Sequence, residues 1–294
     1  MSKKADIIST IILILMLLVG LSVMFYPIFS NWWNQNKASH VISDYQDAVA
    51  KLDEEDYSKY FQRARNYNSE LAEIENPFVN YDQVKGYESF LDITGSGIMG
   101  FISIPAIRVE LPVYHGTSEG VLNIAVGHLQ GSSLPVGGES THAVLSGHRG
   151  LPSAKLFTDL DQIVVGDYFT LNILNEVLTY EVEEINIVEP DDMEKILIVP
   201  KADKVTLVTC TPYGVNTHRL LIRSKRIQTE EEKIAAKVTS DAVQADMFLS
   251  VPVISLPLII ILLIFWGISG KIRGKRTAVL DSYKTKHNYK KKFM

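Results

Sequence analysis

Cysteine is nearly absent: the 294 residues contain one, Cys210. A single thiol excludes an internal disulfide and any zinc site built on several cysteines. Internal repeats and low-complexity runs are missing as well. Basic residues are outnumbered, 29 against 34 acids, for a net charge of −5. The shortage is concentrated in the middle of the chain. Nine Lys/Arg lie after Gly270, and Lys3 and Lys4 lie at the N-terminus, with Asp6 and Asp281 the only acids there. Setting these ends aside leaves 18 bases against 32 acids, a net charge of −14. An acidic middle argues against nucleic-acid binding.

Charge is missing altogether from two stretches, Ile7 to Ile28 and Met247 to Ile268, of 22 residues each. Each is long enough to cross a bilayer as a helix, which takes ~20 residues. This speaks against a purely soluble protein and against a polytopic transporter. The basic flanks put both termini in the cytoplasm and the acidic middle outside. The first run exceeds the ~7–15 apolar residues of a signal peptide, and no A-x-A-like site follows it. It reads as a retained anchor, with a cleaved signal as the alternative. Pro27 to Trp33 then forms its interfacial end, with Trp32 and Trp33 as an aromatic belt.

From Asn34 to about Glu75 there is no glycine or proline. Val41, Tyr45, Ala48, Leu52, Tyr57, Tyr60, Phe61 and Ala64 recur every three to four residues. That predicts an amphipathic helix, broken near Asp53–Asp56 and ended by Asn76-Pro77. Phe78 to Ser96 reads as a polar loop. After Gly97 the texture is β: strands are expected at 98–104, 109–114, 143–146, 168–173, 177–188, 205–209 and 220–223. Short helices are expected at 153–160 and 192–197. Many short strands at close spacing predict a mainly β fold, a barrel or a sandwich. The resulting division is a cytoplasmic N-terminus 1–6, a span 7–28, an extracellular helical region 29–96 and a β domain 97–227. A linker 228–246, a second span 247–269 and a basic cytoplasmic tail 270–294 complete it.

Three residues could carry chemistry. Cys210 ends the apolar run Val205-Thr206-Leu207-Val208-Thr209, and Thr211-Pro212-Tyr213-Gly214 breaks the strand beside it. Arg219 opens the next strand, so Cys210 and Arg219 would face each other near the loop base. His148 closes a β run and opens a loop flanked by Gly147 and Gly150. A cysteine with a sequence-distant histidine is a candidate nucleophile and acid/base pair. A buried structural cysteine beside a hydrogen-bonded loop histidine fits the same residues. His128 and His142 read as structural groups in polar loops. His218 adjoins Arg219 but points to the opposite face of its strand. Tyr213 either borders the groove or packs under the loop.

Thr206-Leu207-Val208-Thr209-Cys210 followed by Arg219 resembles the TLxTC…R motif of sortases. Ser146-Gly147-His148-Arg149-Gly150-Leu151-Pro152 resembles their histidine loop, and the likeness runs over roughly Gly97 to Ile227. It implies the sortase barrel of about eight strands with Cys210, His148 and Arg219 at one end. Thr209 to Leu220 and Gly127 to Gly138 resemble class C, the pilin-polymerising sortases of Gram-positive bacteria, and a second span is a trait of that class. Class C carries an Asp-Pro-aromatic lid over the active site. The matching place is Asn76-Pro77-Phe78, in which Asn76 replaces the acid. Phe78 is expected to cover Cys210. Asn76 can hydrogen-bond to Arg219 without forming an ion pair, and Glu75 or Asp82 would supply the charge instead.

The resemblance implies a membrane-anchored cysteine transpeptidase acting on pilin subunits with an LPxTG-like sorting signal. Cys210 would attack the Thr–Gly carbonyl and form a thioester. His148 would protonate the leaving amine, and Arg219 would stabilise the oxyanion or hold the substrate backbone. A lysine amine of another pilin would then resolve the thioester, with no cofactor or metal. A wall-anchoring sortase using a peptidoglycan amine, a non-catalytic pilus assembly factor and a thiol peptidase are the rival readings.

Overall fold

The computed structural model describes the backbone of residues 3–227 and the side chains from Ile7 onward. The expected linker 228–246, second span 247–269 and basic tail 270–294 lie outside the described residues, as do the first two residues of the expected N-terminus.

A single helix, α1 (Lys3–Val49), replaces the expected span and separate amphipathic helix. Pro27 lies inside it without ending it. Adding one residue to an existing helix is far easier than nucleating a new one, so the polar stretch simply continues the apolar one. The part up to Ile28 belongs to a unit of its own. From Ile7 the helix is long and apolar enough to cross a membrane, and its Ile11, Leu15, Leu18 and Val19 are exposed.

The second unit, from Phe29 onward, holds the β structure. Helix α2 (Glu54–Ala72) starts where the charged Asp53-Glu54-Glu55-Asp56 run supplies a capping box. Asp53 Oδ1 accepts from Asp56 N at 2.9 Å, which satisfies a donor at the start of α2. Phe61, Ala64, Tyr67 and Leu71 of α2 are buried in the main core. Each large aliphatic or phenyl group buried this way contributes on the order of 1.5–3 kcal/mol. Ile42 and Tyr45 of α1 pack on Ile98 and Phe101. Tyr45 Oη donates to Met99 O at 3.1 Å and accepts from Leu174 N at 2.8 Å, tying α1 to the strand that holds Met99 and to the turn after Ile173.

Eight strands close a barrel in the order β1-β2-β3-β4-β7-β8-β6-β5. They are β1 (Ile98–Ile104), β2 (Val109–His115), β3 (Val126–His128), β4 (Thr141–Ser146), β5 (Tyr168–Ile173), β6 (Glu176–Val188), β7 (Asp203–Thr211) and β8 (His218–Arg226). Two of the pairings, β2 with β3 and β4 with β7, are parallel. Seven strands match the sequence reading within three residues at either end. The eighth, β3, is three residues long and has no alternation to reveal it. At Gly100 a Cβ would stand 2.3 Å from Asn172 O, so only glycine allows β1 to approach β5 there.

The short helix expected at 153–160 does not form; a single 3₁₀ turn occupies Leu160–Gln162. Leu156 has a positive φ of 41°, which breaks any right-handed run. The helix expected at 192–197 shrinks to a 3₁₀ turn over Glu194–Ile196. Pro77–Asn80 (α3), at the start of the stretch expected to be a loop, is a single helical turn, and Glu119–Leu122 (α4) is another, for which the sequence offered no expectation.

Candidate active site

The alternation of β7 decides where Cys210 points. Val205 and Leu207 belong to the barrel core, whereas Val208 packs in a small outer cluster with Val144, Ile196 and Leu221. Cys210 shares the parity of Val208 and so faces outward. It is half-buried and free. On β8, Leu220 and Ile222 face the core and Leu221 the outer cluster. Arg219 therefore shares the outer face, directly opposite Cys210 in the antiparallel register. Its Nη1 donates to the backbone carbonyls of His218 at 3.1 Å and Asn216 at 3.4 Å, which orients the guanidinium along the strand end.

The parallel pairing of β4 with β7 brings in His148. Ser146 pairs with Val208, and Gly147 N donates to Val208 O at 3.0 Å. Thr209 Oγ1 donates to Gly147 O at 2.8 Å, a buried bond. Gly147 is required, since a Cβ there would lie 2.6 Å from the Phe157 ring. The His148 carbonyl accepts from Phe157 N at 3.1 Å, folding the loop back behind it.

His148, Cys210 and Arg219 line one cleft of about 300 Å³. Its other walls are mainly apolar, with Leu129, Val144, Val188, Ile196, Val208 and Leu221, and Thr117, Ser146 and Asp192 add polar groups. Such a cleft can take an extended peptide with apolar side chains and present its carbonyl to the thiol. Among the described residues no group of three or more His, Cys, Asp or Glu stands together to hold a metal.

Phe78 packs on the same outer cluster, beside Leu129, Val188 and Val208. Its ring is thus seated on the apolar wall of the cleft. Gly131 lies directly beneath: a Cβ there would be 2.8 Å from Pro77 O and 3.0 Å from Phe78 Cα, and its φ is +95°. Asn76, exposed, adopts left-handed backbone with φ 53° and caps no helix nitrogen. The hydrogen bonds of Arg219 go to the two carbonyls named above.

The remaining histidines are held elsewhere. His128 and His142 sit on β3 and β4, not in polar loops. His128 is fully buried, with Tyr87 Oη 2.8 Å from Nδ1 and Ser133 O 2.8 Å from Nε2. His142 places Nδ1 on Leu197 O at 2.8 Å and Nε2 on Thr206 Oγ1 at 2.7 Å. Burial pushes both imidazoles down to about 4, so both are neutral at pH 7. His218 pairs with Glu189 at 3.3 Å. The sequence reading assigned no role to Gly131 or Arg149; their signals are a glycine in the left-handed region and a buried cation, and neither is visible without the fold.

A sequence model of the sortase domain matches residues 102–227. Sortase D of Bacillus subtilis is 34% identical over 149 residues, 50% of this chain and 72% of that protein. Among solved structures, sortase C1 of Streptococcus agalactiae superposes with a TM-score of 0.59 at 51% identity, covering 65% of this chain and 99% of that one. Sortase C of Streptococcus pneumoniae, whose structure was presented for insights into catalysis and pilin substrate specificity, gives 0.57 at 42% identity, covering 64% and 97%. Sortase C of Clostridium perfringens gives 0.54 at 39%, covering 64% and 99%.

Proposed function

The chain belongs to the sortase family as a class C cysteine transpeptidase, and we propose that it polymerises pilin subunits with Cys210, His148 and Arg219 as its working groups. The observation that carries this reading is the cross-strand pair Cys210–Arg219 sharing a cleft with His148. The substrate is a pilin ending in an LPxTG-like signal. The Cys210 thiolate adds to the Thr carbonyl carbon, and the electron pair moves to the oxygen. Arg219, a permanent cation with fixed donors, stabilises that oxyanion. On collapse the C–N bond to Gly breaks, and His148 delivers its proton to the departing amine. The thioester retains the pilin. A lysine amine of a second pilin then attacks it, and His148 takes the amine proton as an isopeptide bond forms and the thiolate leaves.

Pilin substrates are the kind named for the Streptococcus pneumoniae relative. Phe78, in the single turn α3 and packed beside Leu129, Val188 and Val208, acts as a lid that substrate must displace. The catalytic domain, residues 97–227, works outside the cell. It is preceded by the helical region 29–96 with its lid 76–78. A span at 7–28 and a second at 247–269 leave residues 1–6 and 270–294 in the cytoplasm, with 228–246 as linker. The apolar, exposed start of α1 supports the first of these spans.

The test uses the full-length protein in detergent micelles with an LPxTG-like peptide. Mass spectrometry should find a thioester on Cys210 and, with a pilin lysine donor, an amide-linked product. Cys210→Ala should yield neither while remaining folded. Product formation by Cys210→Ala would overturn the assignment. Transfer to a peptidoglycan cross-bridge amine in preference to pilin lysine would make the enzyme a wall-anchoring sortase.

A further inference from the structure

On the inner side of the two strand ends that carry His148 and Cys210 lies a buried cation. The side chain of Arg149 is only 8% exposed. Its Nη2 pairs with Asp161, at the far end of the loop that begins at His148. Its Nη1 donates to Thr211 Oγ1 at 3.3 Å, and its guanidinium carbon lies 5.9 Å from the centre of the Tyr213 ring. Thr211 has the parity of Val205 and Leu207 and is buried, on the side of β7 opposite Cys210. Arg149 follows His148, and Thr211 follows Cys210. The contact therefore links the neighbours of the two groups from behind the cleft.

The ion pair with Asp161 would by itself close the loop 149–161. The reach to Thr211 and Tyr213 adds nothing to that closure; it crosses to the β7–β8 turn. Gly150 keeps the approach close, since a Cβ there would stand 3.1 Å from the Tyr213 ring. A guanidinium suits this place because its planar fork serves two acceptors and a ring face at once, which an ammonium does not.

We propose that Arg149, acting through Thr211, is a positioning residue that holds His148 in register with Cys210 for proton transfer. This rests on the assignment of Cys210 and His148 as nucleophile and acid. Sub-ångström drift between such groups lowers the chemical step while leaving peptide binding in the cleft largely intact.

The experiment again uses full-length protein in micelles and the LPxTG-like peptide. Arg149→Ala removes a buried charge and risks misfolding, so the informative variants are Thr211→Val, Thr211→Ser and Arg149→Lys. Thr211→Val and Arg149→Lys should each lower kcat about tenfold with KM within about twofold. Thr211→Ser, which keeps the hydroxyl, should stay within about twofold of the parent. The double variant Arg149→Lys with Thr211→Val should lose no more than either single one, because both break the same link. A kcat for Thr211→Val within about twofold of the parent, or losses that multiply in the double variant, would overturn the proposal. If the parent forms no Cys210 thioester, the functional reading falls instead. The link is then judged by amide hydrogen exchange: Thr211→Val should raise exchange about tenfold at both 148–150 and 210–214 relative to Thr211→Ser. Unchanged exchange in both segments would refute it.

Discussion

Thr209 Oγ1 donates to the Gly147 carbonyl at 2.8 Å, beside the bond from Gly147 N to Val208 O at 3.0 Å. Together these carry the β4–β7 pairing past its last register pair, Ser146 with Val208. Two residues beyond that pair, on each strand, stands a candidate for catalysis, His148 on one and Cys210 on the other. A threonine hydroxyl thus sets the spacing of the two strand ends, which gives Thr209 a structural reason to stand in the motif beside Cys210.

The histidines can be told apart by activity. His148→Ala and Arg219→Ala should each lower kcat/KM by roughly 10²-fold or more, the scale of a lost acid/base or oxyanion group. His142→Ala removes a buried ring that bridges Leu197 O and Thr206 Oγ1. Its folded fraction should keep most of its activity, while thermal unfolding moves down by several degrees. Specific activity of folded protein, measured beside the melting temperature, checks both. Equal inactivation of folded His142→Ala and His148→Ala would remove the ground for choosing His148.

The lid can be tested through thiol access. Phe78→Ala takes away the ring that packs on the cleft wall and should speed modification of Cys210 by a bulky maleimide several-fold. Gly131→Ala should act in the same direction, since its Cβ would press on Pro77 O and Phe78 Cα. Asn76→Asp, placing a charge that Arg219 can attract, should slow it. Rates are followed by mass spectrometry on the full-length protein. If Phe78→Ala reacts no faster than the parent, the segment does not cover Cys210.

Acid should weaken the fold through two rings. His128 and His142 are held down to about 4 by burial, against an ordinary 6.5. The unfolded chain therefore binds more protons than the folded one between those values, and stability falls as pH drops from about 6.5 toward 4. Each ring contributes on the order of 3 kcal/mol at full effect. Asp203, whose carboxyl burial pushes up, opposes the trend, because the folded state takes up its proton first. Melting temperature against pH should show a steep decline in that window. His142→Gln, which keeps a donor and an acceptor without titrating there, should flatten it; an unchanged slope would mean another group governs acid stability.

Much of the barrel was readable in the order of residues. Strands β1, β5 and β7 announce themselves through apolar runs bounded by glycine, proline or asparagine, because a pleated strand repeats every two residues. The α2 start follows from Asp53-Glu54-Glu55-Asp56, since a capping box needs only four consecutive residues. The facing of Cys210 and Arg219 followed from one turn between adjacent antiparallel strands. In contrast, β3 is too short to show a period, and the loop after Pro152 bends at Leu156 against its helical composition.

What the sequence by itself determined is therefore local: the apolar length of 7–28, the alternation along β7, the antiparallel pairing that opposes Cys210 to Arg219. These depend on residues close in the chain, where side-chain period and turn chemistry decide. The tertiary structure alone decided that β4 lies parallel to β7 and delivers His148, that Phe78 rests over Gly131, and that Arg149 reaches Thr211 across 62 residues. It also turned His128 and His142 from loop residues into buried, neutral strand residues. The physical reason is that barrel closure is settled by the sum of core contacts among distant strands, and no local window contains that sum.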